Sequence, residues 1–257
     1  MLKNIFDTHA HYTDECFDSD RDELINTIHK NGVRYIMLAV SNIEDSIKAL
    51  EISSKFPYVY CAAGIHPECT DTVTHDYIER IEHLSASEKV RAIGEIGLDY
   101  HYENYDKDLM MQIFIQQILL ANKLHLPVIV HSRDATKDTL DILHKYTPEK
   151  GVVHCFSGSA ETAEEILRLG LNISFTGVIT FKNARKSLEA LKVVPIERLM
   201  LETDCPYMAP VPWRGSRCDS SMISETAAKA AEIKDITVQQ MLDITCDNAI
   251  KFFGIQD

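Results

Sequence analysis

The chain has 257 residues, 45% of them hydrophobic and 25% charged, the size and make-up of a globular protein that can bury one large shared core. No apolar run approaches the roughly 18–20 residues of a membrane span, and seven scattered cysteines without a C-x-x-C pair point to reduced thiols and exclude a disulfide scaffold. A net charge of −13 argues against broad electrostatic capture of nucleic acid, which needs a basic face, although bound divalent ions can make one site strongly positive on an acidic body.

The N-terminus enters a strand-like segment at Ile5-Phe6-Asp7 with no apolar leader, so the chain reads as cytoplasmic. Short apolar or β-branched runs predict strands at residues 5–7, 33–40, 59–64, 90–95, 127–131, 151–155, 172–176 and 199–202. Between them, helical periodicity predicts helices at 20–31, 44–55, 106–124, 136–146, 160–169 and 184–193, with closing helices at 220–233 and 238–253. Gly32 and Gly170 follow helices, where left-handed C-terminal caps belong. No repeat or linker divides the chain, so residues 1–257 are expected to form one domain. Eight strands alternating with helices fit parallel β/α units, either as a closed barrel or as an open doubly wound sheet.

The polar residues at the strand ends decide between the two. His9 and His11 follow the first strand, His66 the third, and Glu95 ends the fourth. His131 and His154 end the fifth and sixth, and Glu202 and Asp204 the eighth. In an open sheet the first, fourth and eighth strand ends lie far apart, whereas in a barrel they share one mouth. The expected fold is therefore a single (β/α)8 TIM barrel.

In Asp7-Thr8-His9-Ala10-His11 the two imidazoles are two residues apart in extended chain and face the same way, which suits two ligands on one ion or, alternatively, a pair of hydrogen-bonded histidines. Glu95 sits between glycines in an apolar strand, where an ionised carboxylate needs a cation, either a metal or a salt-bridge partner. His131 and His154 close successive apolar strands, and Arg133 could grip a phosphate or join a surface ion pair. Of Glu202 and Asp204, one is placed to bind metal and the other to act as an outer partner or general base. Alternation turns Cys155 and Cys205 to the opposite face, as packing residues. Imidazoles and carboxylates without a thiolate cluster suit Zn, Mn, Mg or Co. No G-x-S-x-G elbow, Walker loop or G-x-G-x-x-G competes.

The series Asp7-Thr8-His9-Ala10-His11, Gly64-Ile65-His66-Pro67, Gly94-Glu95-Ile96-Gly97-Leu98-Asp99-Tyr100, His131-Ser132-Arg133, His154-Cys155-Phe156-Ser157-Gly158 and Glu202-Thr203-Asp204-Cys205-Pro206-Tyr207 resembles, in order and over the whole chain, the motifs of the TatD family of metal-dependent deoxyribonucleases. The resemblance implies an amidohydrolase-like barrel holding two divalent ions. His9, His11, Glu95 and Asp204 would hold one ion, and Glu95, His131 and His154 the other, with Glu95 bridging. His66 and Arg133 would sit near the substrate phosphate, and Glu202 would be an outer partner or an extra-ion ligand. The implied substrate is DNA, as single strands or 3′ ends, cleaved by metal-activated water with Asp204 or Glu202 accepting its proton. Arg214 and Arg217 would help to grip phosphates, and Tyr100, Phe156 or Trp213 could stack a base. Where the family usually continues through Arg-Gly to Arg-Asn-Glu-Pro, this chain has Arg214-Gly215-Ser216-Arg217-Cys218-Asp219, a departure that bears on substrate grip. One alternative is an amidohydrolase-type enzyme acting on a small amide, ester or other phosphoester. Many of those bridge their metals with a lysine where this chain has Glu95. Another is a catalytically silent barrel, which would lack a ligand that this chain retains.

Overall fold

In the computed structural model, which describes residues 1–102 and 106–256, eight parallel strands pair in chain order: β1 (Ile5–Ala10), β2 (Val33–Leu38), β3 (Val59–Ala63), β4 (Val90–Asp99), β5 (Val128–Arg133), β6 (Gly151–Val153), β7 (Asn172–Phe175) and β8 (Leu199–Leu201). The helices are α1 (Arg21–Lys30), α2 (Ile43–Lys55), α3 (Tyr77–Leu84), α4 (Lys107–Leu124), α5 (Thr136–Lys145), α6 (Ala160–Arg168), α7 (Arg185–Val193), α8 (Ile223–Lys234) and α9 (Val238–Phe253). The predicted (β/α)8 barrel is the observed fold. Among the described residues no helix is long and apolar enough to cross a membrane.

The pairing continues from β8 back to β1 through a seam of separate hydrogen bonds. Thr8 Oγ1 donates to the Leu201 carbonyl (3.1 Å), Asp204 N to the His9 carbonyl (2.9 Å) and His11 N to the Cys205 carbonyl (2.8 Å). The fully buried Asp7 carboxylate accepts from Thr203 N (3.0 Å) and Thr203 Oγ1 (2.6 Å). Closure of the barrel thus fixes the segments that carry His9, His11 and Asp204.

Phe6, Met37, Ala62, Ala92, Ile129, Val152 and Met200 fill the barrel interior, and α9 covers one end of it with Ala249, Phe252 and Phe253. A second, larger apolar layer joins the strands to the surrounding helices. On three strands the interior side chain is followed two places later by a candidate site residue: Ile129 by His131, Val152 by His154 and Met200 by Glu202. The period of two carries the core directly into the site. Strict alternation from Ala92 would turn Glu95 outward, but the β4–β5 register shifts between Ile93 and Ile96, and the carboxylate lies in the mouth. Gly97 has φ +149°, and a Cβ there would stand 1.9 Å from the His131 carbonyl oxygen, so only glycine lets β4 lie this close to the backbone that carries His131.

Two expectations are corrected here. β1 and β4 run on to Ala10 and Asp99, past the predicted ends; β4 continues through Ile96, Gly97 and Leu98, which pair with Val130, His131 and Ser132 of β5. Helix α3 stands where periodicity assigns none. It is eight residues long and buries only Tyr77 and Ile81, too short an apolar stripe to stand out. Gly32 (φ 114°) and Gly170 (φ 81°) do adopt the left-handed region.

Candidate metal centre at the barrel mouth

Donor atoms converge on two adjacent positions, and each oxygen of Glu95 serves one of them. Around the first, His9 Nε2 lies 3.1 Å from Glu95 Oε2, 3.2 Å from His11 Nε2 and 3.6 Å from Asp204 Oδ1. His11 Nε2 lies 3.1 Å from Asp204 Oδ1 and 3.9 Å from Glu95 Oε2. Around the second, Glu95 Oε1 is 2.7 Å from both His131 Nδ1 and His154 Nε2, which are 3.3 Å apart. His66 Nε2 approaches the same oxygen at 3.4 Å.

These atoms fit a pair of divalent cations. Ligand bonds of about 2.0–2.1 Å in tetrahedral array place neighbouring donors roughly 3.4 Å apart, the middle of the observed spacing. Nitrogen and carboxylate donors with no thiolate suit borderline or hard ions. Facing lone pairs of His9 and His11, buried beside two carboxylates, are satisfied together by a cation and only in part by protons. His9 Nδ1 is buried without a hydrogen-bond partner among the described residues, and its ring stacks on His154 at 3.9 Å.

The second position is braced from behind. His131 Nε2 lies 3.0 Å from Asp99 Oδ2, and His154 Nδ1 lies 3.3 Å from Glu202 Oε1. Carboxylates on the rear nitrogen fix the imidazole's orientation and raise its basicity. Glu202 is itself held by Ser174 Oγ (2.5 Å) and Cys155 N (2.6 Å), and is buried. Burial alone would raise the Glu95 carboxyl, but His154, His66 and His9 overcome it and hold it well below the usual carboxylate range. Burial works against charge on His154 too, yet Glu95 and Glu202 push it well above an ordinary histidine. Asp7 has no cation beside it among the described residues, and burial pushes it up to about 7 against the hydrogen bonds from Thr203.

The other candidates divide. Arg133 lines the mouth with a half-exposed guanidinium 4.0 Å from Asp99, and His66 lines it too, its Nδ1 accepting from Glu68 N at 3.2 Å. Arg214 and Arg217 do not line the cavity. Arg214 lies over the Phe181 ring at 4.4 Å, and Arg217 pairs with Asp20 and covers Phe17. Of the three aromatic candidates, Tyr100 donates to Asp138, Phe156 is buried, and Trp213 stands exposed outside the cavity lining. Tyr102 and Tyr207 line the mouth instead. Cys205 is buried as expected, but the Cys155 expectation fails. Its φ of 45° leaves the extended region, alternation no longer applies, and the residue lines the mouth with its sulfur 3.5 Å from that of Met208. Sequence reasoning missed Asp99 and Asp7 as site residues. The argument made for Glu95, a carboxylate inside an apolar run, applies equally to Asp99 and would have found it. The mouth cavity is about 1040 Å³, at the upper limit of small-ligand sites and roomy enough for more than one nucleotide.

Comparison with known proteins agrees in fold and sequence. The TatD related DNase family model matches residues 6–254. The uncharacterized metal-dependent hydrolase YabD of Bacillus subtilis (strain 168) is 40% identical over 253 residues, covering 98% of this chain and 99% of that protein. The 3′-5′ ssDNA/RNA exonuclease TatD of Citrobacter rodentium is 31% identical over 258 residues, covering 98% of each. The crystal structure of YJJV, a TatD homolog from Escherichia coli K12, superposes with a TM-score of 0.93 at 27% identity, covering 100% of both chains.

Proposed function

We propose, from the premise that this chain belongs to the TatD-related DNase family and is a metal-dependent hydrolase, that it cleaves phosphodiester bonds of single-stranded DNA or 3′ ends using two divalent ions. The observation that carries the reading is the division of Glu95, one oxygen toward His9, His11 and Asp204 and the other toward His131 and His154. The 3′-5′ ssDNA/RNA exonuclease relative supports a nucleic-acid strand as substrate. Residues 1–257 act as one catalytic domain in this reading.

When bound, the two ions would lower the pKa of a water and neutralise charge growing on the phosphoryl oxygens. The remaining work falls to side chains. His9, His11, Glu95 and Asp204 would hold one ion, and Glu95, His131 and His154 the other. Asp204 lies at the mouth with its Oδ1 beside two imidazoles, and it accepts the proton of the attacking water. Glu202 is the poorer acceptor, because its oxygens are already engaged by Ser174, Cys155 N and His154. It orients His154 instead. His66 and Arg133 reach the cavity from β3 and β5 and bind the phosphate. Arg214 and Arg217 lie too far out on the rim to touch the scissile group and can meet only flanking phosphates.

The test is turnover of 3′- and 5′-labelled single and double strands by purified protein across Zn, Mn, Mg and Co, before and after chelation. Cleavage should vanish with chelator and return with added metal. Activity that survives complete chelation would exclude the mechanism. Small amides and lactones in the same assay should not be turned over, since preference for them would favour the amidohydrolase alternative.

A further inference from the structure

Charge is distributed unevenly around the mouth. On the β1–β3 side the cavity is lined by four acids, Asp14, Glu44, Asp45 and Glu68, against Lys48. On the β7–β8 side the rim outside the cavity lining is the reverse. Residues 171–188 and 205–218, which follow α6 and β8, contain no Asp or Glu in a chain of net charge −13. The same spans place Lys182, Arg185, Lys186 and Arg214 at exposed positions, and none of the four has a carboxylate partner among the described residues.

The two spans form one piece of rim. Val211 N donates to Thr180 Oγ1 at 2.9 Å, and Arg214 lies over Phe181. A Cβ on Gly177 would stand 2.5 Å from the Met208 carbonyl oxygen, so the loops are in backbone contact. The piece reaches the cavity through Val178, Tyr207 and Met208, and Tyr207 and Trp213 stand more than half exposed along it. Helix stability does not explain Arg185 and Lys186. Helices α1 to α6 and α8 all carry an acid in the first turn, whereas α7 opens with Arg185-Lys186, against its own dipole.

We infer that this β7–β8 rim is the track for the rest of the substrate strand: phosphates beyond the scissile one lie along Lys182, Arg185, Lys186 and Arg214, with bases against Tyr207 and Trp213. The inference rests on the phosphodiesterase reading and adds where the strand leaves the mouth. Continuity with the metal centre and aromatic side chains interleaved with cations favour a nucleic-acid strand over an acidic peptide. The acidic β1–β3 side would repel the same strand and so sets its direction of exit.

The test is fluorescence-anisotropy binding of a 20-nucleotide phosphorothioate oligothymidylate to metal-loaded protein over a salt series, comparing the wild type with Lys182→Ala/Arg185→Ala/Lys186→Ala. The triple variant should bind about tenfold or more weaker at low salt, and losing three phosphate contacts should make the slope of log K against log salt shallower by about 2. Melting temperature and metal content should match the wild type, and the charge-keeping set Lys182→Arg/Arg185→Lys/Lys186→Arg should restore affinity. Unchanged affinity and slope in the alanine variant would overturn the inference, as would competition by poly-glutamate equal to that of an oligonucleotide of the same charge. Wild-type turnover of a thymidine dinucleotide, measured separately, reports the hydrolytic reading, so failure of the track and failure of the chemistry are told apart.

Discussion

Glu95→Ala is expected to lower oligonucleotide hydrolysis by at least roughly a thousandfold, well beyond the ~10–100-fold usual for loss of an outer-shell partner, and to leave the purified protein with less than one tightly held ion. One carboxylate faces His9 on one side and His131 and His154 on the other, so its loss removes a ligand from both positions at once. The carboxylate is also the negative charge closest to His9, His131 and His154, which with His66 hold it well below its ordinary range. Glu95→Gln keeps the shape and one oxygen but drops the charge, and should fall nearly as far. Metal analysis beside the kinetics checks the cause: wild-type metal content with low activity would move Glu95 from metal binding to another role.

Asp204→Asn should cut kcat by about a hundredfold to a thousandfold, with KM for the oligonucleotide little changed, the pattern of an interaction realised in the transition state. The substitution is chosen for the backbone. Asp204 has φ 61°, a left-handed conformation that Asn tolerates well, and its N–H bond to the His9 carbonyl survives. The barrel seam should therefore stay closed, and a thermal melt near that of the wild type verifies it. What is lost is the proposed negative ligand at the first position and the proposed acceptor of the water's proton. A variant with wild-type kcat would reassign the proton to another group and reduce Asp204 to a part of the seam.

The barrel was legible because its strands alternate apolar runs with helices, and because the polar residues fall at one end of every run that carries them. The candidate site residues were legible for the same reason. Each of His131, His154 and Glu202 follows an interior aliphatic residue by two positions, so periodicity extends into the site. Legibility failed where backbone geometry departs from that period. Cys155 was turned the wrong way because its φ is positive. The register shift in β4 that brings Glu95 inward has no signature beyond the flanking glycines. Asp99 was legible by the argument made for Glu95 and was overlooked; only its partner, His131 Nε2 on another strand, had no signal in the sequence. The pairing of Arg217 with Asp20 left no trace in the sequence, because no spacing rule reveals an ion pair between residues 197 positions apart. Helix α3 buries too few side chains to leave a pattern.

The central claim, that Glu95 joins two cations at the mouth, is tested most directly by anomalous diffraction from crystals of the full chain grown with Mn or Zn. Two anomalous peaks should appear, one within ligand distance of His9, His11 and Asp204 and the other of His131 and His154, with Glu95 reaching both. A mouth without anomalous signal at saturating metal, or peaks bound elsewhere on the molecule, would contradict the account.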